Sequence, residues 1–216
     1  MVAHATPGTP RLYLDDPSLL DFEATVVGHA SVEGRPALVL DRTGFYPDSG
    51  GQPGDTGALG AIAVEDPRAD DAGVVLHALA PGAELPPLGA VLRGLVDRDR
   101  RRLHAALHTG QHMLSRAMVD EAGAETASSR LGGGGSTLDL DVPSLDERAL
   151  ARAERRVARA IEDDLAVRQW FPPPDELASL PLRRAPKVTE NIRVVDIGGF
   201  DLTPCGGTHC ARAAQV

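Results

Sequence analysis

RRLHAALHTGQHMLSRAMVDEAG, residues 101–123, is the stretch on which the fold turns. Its apolar residues recur with the helical period. Leu107, Leu114 and Met118 share one stripe and Gly123 ends the pattern, so a helix is expected over 102–122. Three of the chain's seven histidines ride on it, at 104, 108 and 112. Residues four apart stack on one helix face, so His108 and His112 can grip one metal ion together. All three cannot, because eight residues of helix rise ~12 Å. His104 then supports the ligands or lies on the surface.

Upstream, residues 11–95 read as short strands joined by turns. FEATVVG (22–28), PALVLD (36–41) and GVVLHALA (73–80) are β-rich runs. FYPDSGGQPGDTGALG (45–60) is dense in Gly, Pro and Asp, and the turn PGAELPPLG follows the third run. No helix-period segment occurs here, which points to a small β-barrel. Downstream, SSRLGGGGSTLDLD (128–141) begins as a glycine loop and ends as an alternating strand. Ser144 and Glu147 form a capping box. The helix it opens carries Leu150, Val157, Ile161 and Leu165 inward and its arginines outward. VRQWF (167–171) and IRVVDI (192–197) read as strands, and there is no internal repeat. The expected class is α+β: a small N-terminal β-barrel over 1–95, then an α+β domain over 96–216 with helices packed on an antiparallel sheet.

The 216 residues carry a net charge of −9 and 42% hydrophobic residues, enough for a real core. No apolar run approaches the ~20 residues that span a bilayer, and the N-terminus lacks a signal-peptide pattern. A soluble cytoplasmic protein without a membrane partner is the expectation. The acidic total argues mildly against nucleic acid, but binding depends on local patches. Basic residues cluster at Arg98, Arg100, Arg101 and Arg102, at Arg152, Arg155, Arg156 and Arg159, and at Arg183, Arg184 and Lys187. Each cluster taken singly reads as a solvated face. Two cysteines, Cys205 and Cys210, are too few for a disulfide framework.

Cys205-Gly206-Gly207-Thr208-His209 puts a thiol and an imidazole four residues apart across two glycines. Taken alone, Cys205 reads as a small buried apolar residue and His209 as a terminal surface one. Combined with His108 and His112, they complete a standard zinc ligand set. Gly50-Gly51-Gln52-Pro53 reads as a β-turn.

Four segments together resemble the AlaX family, free-standing relatives of the editing domain of alanyl-tRNA synthetase. They are LDRTGFYPDSGGQPGDTG (40–57), RRLHAALHTGQHMLS (101–115), LGGGGSTLDLD (131–141) and IRVVDIGGFDLTPCGGTH (192–209). The N-terminal half is similar to the longer form of that family, with its extra β-barrel. The resemblance implies zinc held by His108, His112, Cys205 and His209. It implies Gln52 and Gln111 as catalytic candidates, and a substrate pocket at Thr126, Ser128, Arg130, Ser136 and Asp139. Arg98, Arg100, Arg101, Arg102, Arg152 and Arg155 are the implied tRNA contacts, and His104 can also face tRNA. Arg130 stands where relatives often have histidine, and Ala105 and Ala106 replace a usual Met-Gln. The chain stops soon after His209, where relatives continue, which implies weaker tRNA affinity.

The implied activity is zinc-dependent removal of serine or glycine from mischarged alanine tRNA, without ATP. Two rivals are a zinc hydrolase of a small ester or amide and a non-catalytic tRNA-binding module with structural zinc. Cys205 and Cys210 are expected not to pair, because a disulfide would consume the thiolate that the metal needs.

Overall fold

The computed structural model describes residues 8–132, 134–186 and 188–216. The N-terminal residues 1–7, Gly133 of the glycine loop and Lys187 of the third basic cluster lie outside the described residues. The chain divides into two compact units, Met1–Arg101 and Arg102–Val216.

The first unit is built on six strands: β1 (Asp21–Val32), β2 (Arg35–Leu40), β3 (Gly57–Leu59), β4 (Ile62–Ala69), β5 (Val75–Leu79) and β6 (Val91–Val96). All pairings are antiparallel and run β1-β2-β5-β4-β3-β6, with β6 returning to β1, so the sheet closes on itself. The long β1 makes this closure possible. Its residues 21–25 pair with β6 and its residues 26–32 with β2, across a bulge between Val26 and Gly28. Phe22, Ala24 and Val26 alternate inward, as a period of two requires, and meet Leu38, Leu40, Phe45, Leu59 and Leu79. Gly94 makes room for Phe22: a Cβ there would lie 2.3 Å from the ring. Gly50 and Gly51 both take positive φ (59° and 86°), and Ser49 and Gln52 exchange backbone hydrogen bonds around them. This is the two-residue hairpin turn that favours glycine.

β3, β4 and β6 are strands that the sequence pattern did not reveal. β4 carries Glu65, Asp66 and Pro67, residues that read as turn or surface; the strand forms because Val64 is buried and its backbone pairs with β3 and β5.

The second unit takes in most of α1 (Arg98–Ala122). It continues with β7 (Thr126–Arg130), β8 (Thr137–Leu140), α2 (Glu147–Glu162), β9 (Val167–Trp170), α3 (Pro174–Ser179), β10 (Val194–Ile197) and β11 (Asp201–Pro204). β7 and β8 form a hairpin around the glycine loop, and β11-β10-β9 form an antiparallel sheet. Met113 of α1 and Ala160 of α2 pack on Val167, Val195 and Ile197 of that sheet. The unit is thus a mixed α/β structure with helices on a sheet.

Two details of α2 differ from expectation. Its N-cap is Asp146, whose side chain accepts from the Arg148 backbone N–H at 3.2 Å, so Ser144 lies outside the helix. Leu150 is 45% exposed rather than inward. The buried stripe is Ala149, Ala153 and Ala160, small side chains that let neighbouring backbone approach closely, and Leu150 falls one residue off it.

Candidate functional site

α1 presents His108 and His112 one turn apart, with ring centroids 5.1 Å apart. The loop after β11 brings Cys205 and His209 to them. Cys205 Sγ lies 3.5 Å from His108 Nε2 and 3.4 Å from His209 Nε2. One donor atom from each of the four residues falls within 4.8 Å of the others. A tetrahedral centre with bonds of about 2.0–2.3 Å spaces its ligand atoms by about 3.5 Å, which matches the two sulfur–nitrogen distances.

Surrounding groups hold the donors in place. Thr109 Oγ1 donates to the Ala105 carbonyl at 2.8 Å and lies 3.3 Å from His209 Nδ1. Its proton being committed, it can only accept there. His209 therefore carries its proton on Nδ1 and turns the Nε2 lone pair toward Cys205. His112 Nδ1 lies 3.2 Å from Asp201 Oδ2, which leaves Nε2 for the cluster. Asp201 is itself gripped by Arg183 at 2.6 Å and by the Thr203 hydroxyl at 2.9 Å. Arg193 donates to the Cys205 and Gly207 carbonyls, at 3.2 and 2.8 Å, and is tied to Gln169. These bonds set the Cys-Gly-Gly-Thr-His loop.

The electrostatics follow from burial and proximity. Burial pushes the Cys205 thiol up, but the imidazoles of His108, His112 and His209 outweigh it and hold the thiol well below its ordinary range. Burial, then His108, push His209 down to about 3. The three imidazoles and the thiolate bring four lone pairs to one place, and a single shared cation can accept all of them. The cluster can therefore hold a metal ion.

Beside it, Ser115 Oγ accepts from Gln111 Nε2 and from Thr126 Oγ1, each at 2.7 Å. Ser115 is buried and Thr126 half-buried. Ser128 donates to Asp139, both exposed on the hairpin, and Ser136 Oγ accepts from Gly132 N–H at 3.3 Å. Arg130 is exposed. Gln52 lies buried in the first unit, beside the Gly50-Gly51 turn. His104 is buried and is not one of the four clustered residues, so the surface and RNA-facing readings of it do not hold.

Three of the arginines offered as tRNA contacts are engaged elsewhere. Arg101 is 3% exposed and locked to Asp55 and the Gly44 carbonyl inside the first unit, so it has no guanidinium to give a phosphate. Arg152 is bound to the Glu121 carboxylate and carbonyl, at 2.9 and 3.0 Å. Arg100 donates to the Gly54 carbonyl, whereas Arg98, Arg102 and Arg155 are exposed. Arg183 is no solvated residue either, its side chain being 2% exposed. Cys205 and Cys210 are both free.

Sequence reading missed Thr109, Ser115, Arg193 and Asp201. Thr109 and Ser115 had a signal, lying one and three residues past a histidine of the cluster. Asp201 had none, since an acid in an alternating strand reads as a surface residue.

Comparison with known proteins gives a consistent picture. The alanyl-tRNA editing protein AlaX-M of Methanosarcina mazei is 33% identical, over 96% of this chain and 88% of its own length. AlaX-L of Pyrococcus horikoshii is 33% identical over 95% of this chain, which spans about half (52%) of that relative. The alanine–tRNA ligase of Halorubrum lacusprofundi is 35% identical over 97% of the chain, matching 23% of the ligase. No family model matches the chain. No helix among the described residues is long and apolar enough to cross a membrane.

Proposed function

The chain belongs to the AlaX family of alanyl-tRNA editing proteins, and from that premise we propose that it is a trans-acting aminoacyl-tRNA deacylase. Its substrate is the ester that joins serine, and secondarily glycine, to the 3′ end of alanine tRNA. The observation that carries this reading is the convergence of His108, His112, Cys205 and His209 from a helix and a distant loop. An aminoacyl ester is already labile, so the reaction needs no ATP.

Zinc suits this donor set of three imidazoles and one thiolate. Held by those four residues, it supplies a Lewis acid and an electrostatic template. Specificity falls to the chain's own hydroxyls. Thr126 gives its proton to Ser115, so it meets a ligand only as an acceptor. The side-chain hydroxyl of serine can donate to it, and the methyl group of alanine cannot. Gln111, anchored through Nε2, keeps Oε1 free to accept from a water or a ribose hydroxyl. A synthetase pocket separates alanine from serine and glycine poorly, and that is the need a second hydrolytic site meets.

The test is hydrolysis of alanine tRNA charged with serine, glycine or alanine. Serine should leave fastest and alanine slowest, and chelation should abolish the reaction until metal is restored. Thr126→Val should cut the serine-over-alanine ratio about tenfold, the effect of a lost hydrogen bond worth ~1–3 kcal/mol. Equal serine and alanine rates in metal-replete protein would overturn the reading. Binding without hydrolysis would leave a tRNA-binding module with a structural metal, which the closed four-donor set also fits. Cleavage of small esters alone would leave a small-ester hydrolase.

A further inference from the structure

As far as Arg159, helix α2 sorts its charges by face; Glu162, in its last turn, falls beside the arginine arc, three residues past Arg159. At ~3.6 residues per turn, Arg148, Arg152, Arg155, Arg156 and Arg159 fall within an arc of about 100°. Glu147 and Glu154 lie on the opposite flank, with the buried Ala149, Ala153 and Ala160 between. A helix that merely faces water intersperses its charges so that residues four apart attract. Here Arg148–Arg152, Arg152–Arg156 and Arg155–Arg159 are like-charged pairs at that spacing, each costing the free helix stability.

The arc has two rows. Arg152 and Arg156 form the inner one and are engaged: Arg152 holds Glu121, and Arg156 holds Asp120 at 2.6 Å and lies over the Phe200 ring at 5.2 Å. Arg148, Arg155 and Arg159 form the outer row, which runs ~16 Å along the helix. Among the described residues none of these three side chains has a carboxylate partner. Against this flank lies a groove of about 470 Å³, lined by Arg152, Arg155, Arg156 and Arg159, by Leu165 and Phe200, and by two carboxylates, Asp163 and the Glu121 that Arg152 holds.

We infer that the outer arginine row of α2 and its groove hold the phosphodiester backbone of the tRNA. In a chain of net charge −9, a row of guanidiniums that carry no ion pair among the described residues complements a polyanion. The guanidinium fork also matches phosphate oxygens two at a time. The bound strand would relieve the repulsion that the free helix bears. This surface rests on the reading of the substrate as an aminoacyl-tRNA. It keeps Arg155 among the tRNA contacts, sets Arg152 aside and adds Arg148 and Arg159.

The experiment titrates uncharged alanine tRNA against the whole chain at increasing salt, because the slope of log affinity against log salt counts neutralised phosphates. R148Q/R155Q/R159Q should weaken binding at low salt by about tenfold or more, and make the slope shallower by roughly two to three. R148K/R155K/R159K keeps the charge and should keep the slope. E147Q/E154Q, on the far flank, should leave both affinity and slope as in the wild type, and a loss there would count against the row. If the glutamine triple variant does not fold, R155Q alone should lower the slope by about one. A folded triple variant with the wild-type slope overturns the inference, even where the wild type deacylates serine-charged tRNA. Failure of the editing reading looks different: steep, arginine-dependent binding that leaves the serine ester intact.

Discussion

His77 and His112 are both wholly buried imidazoles, one in each unit, and their surroundings are opposites. His77 Nδ1 lies 3.0 Å from the Leu38 carbonyl, which only accepts, so Nδ1 carries the proton. Nε2 then accepts from the Thr43 hydroxyl at 2.7 Å, and Thr43 in turn accepts from the Phe45 N–H at 3.0 Å. Donors and acceptors alternate and the chain closes. Burial pushes His77 down to about 4, and it stays neutral. Around His112, burial alone would lower the imidazole, but the Cys205 thiolate and the Asp201 carboxylate outweigh it and raise it. There one donor atom from each of four residues converges on the same space, within 4.8 Å of the others. A buried polar knot that closes on itself is architecture; one whose lone pairs converge can hold an ion from outside.

The charged counterpart of the His77 knot is the Arg101–Asp55 pair, exposed by 3% and 0% respectively. If it too is architecture, breaking one half must be severe and removing both mild. Arg101→Leu leaves a buried carboxylate without its cation and should cost ~3–5 kcal/mol, whereas R101L/D55L should recover most of the loss. Urea unfolding of the two variants and of the wild type measures this. A double variant as weak as the single one would show that the pair does more than neutralise itself.

His77 offers a second way to break the comparison, through pH. Its folded value of about 4 lies below the ordinary 6.5. Between those values the unfolded chain takes up a proton that the folded chain refuses. Its stabilising contribution is therefore complete above pH ~6.5 and is lost as pH falls through ~4, up to about 3 kcal/mol. His77→Gln should flatten stability across that window. The two tyrosines, Tyr13 and Tyr46, report on the first unit and the single tryptophan, Trp170, on the second. Tyrosine absorbance therefore separates this transition from acid loss of metal. A His77→Gln profile as steep as the wild type would move the acid sensitivity elsewhere.

The contrast also explains what the sequence made legible. The four clustered residues were legible because a helix and a tight loop each fix a four-residue spacing, and metal ligands are a restricted set of residue types. The strands of 22–28, 36–41 and 73–80 were legible because a half-buried strand alternates. β4 was not, because its Glu-Asp-Pro segment breaks the apolar alternation and is held in the sheet by backbone pairing with β3 and β5. Arg101 and Arg183 looked like members of basic clusters, and their burial depends on Asp55 and Asp201, 46 and 18 residues away. Val157, Ile161 and Leu165 pack against the core as their helical spacing implies, whereas Leu150 is exposed and the first turns of the helix bury alanines instead. In each case the missing information is a tertiary partner that local spacing does not encode.

Asp201 sharpens the comparison most finely, because it belongs to both kinds of knot. Its carboxylate closes a local network with Arg183 and Thr203, and it also fixes the ring of His112. His112 and Arg183 beside it hold its carboxyl well below the usual carboxylate range although burial raises it, so it stays charged. A carboxylate on the outer nitrogen of a ligating histidine orients the ring and makes its inner nitrogen a stronger donor, and losing such a partner costs about 10–100-fold in metal affinity. Asp201→Asn should show that loss in competition with a chelator, together with lower stability, because the Arg183 side chain is left buried beside a neutral group. Arg183→Met provides the separation. It should lower stability while leaving most of the metal affinity, since Asp201 still faces His112. If the two variants lose metal equally, Asp201 acts only by keeping the unit folded. If neither loses metal, the cluster draws nothing from the groups behind it, and the distinction between the two buried histidines narrows to the four donor atoms alone.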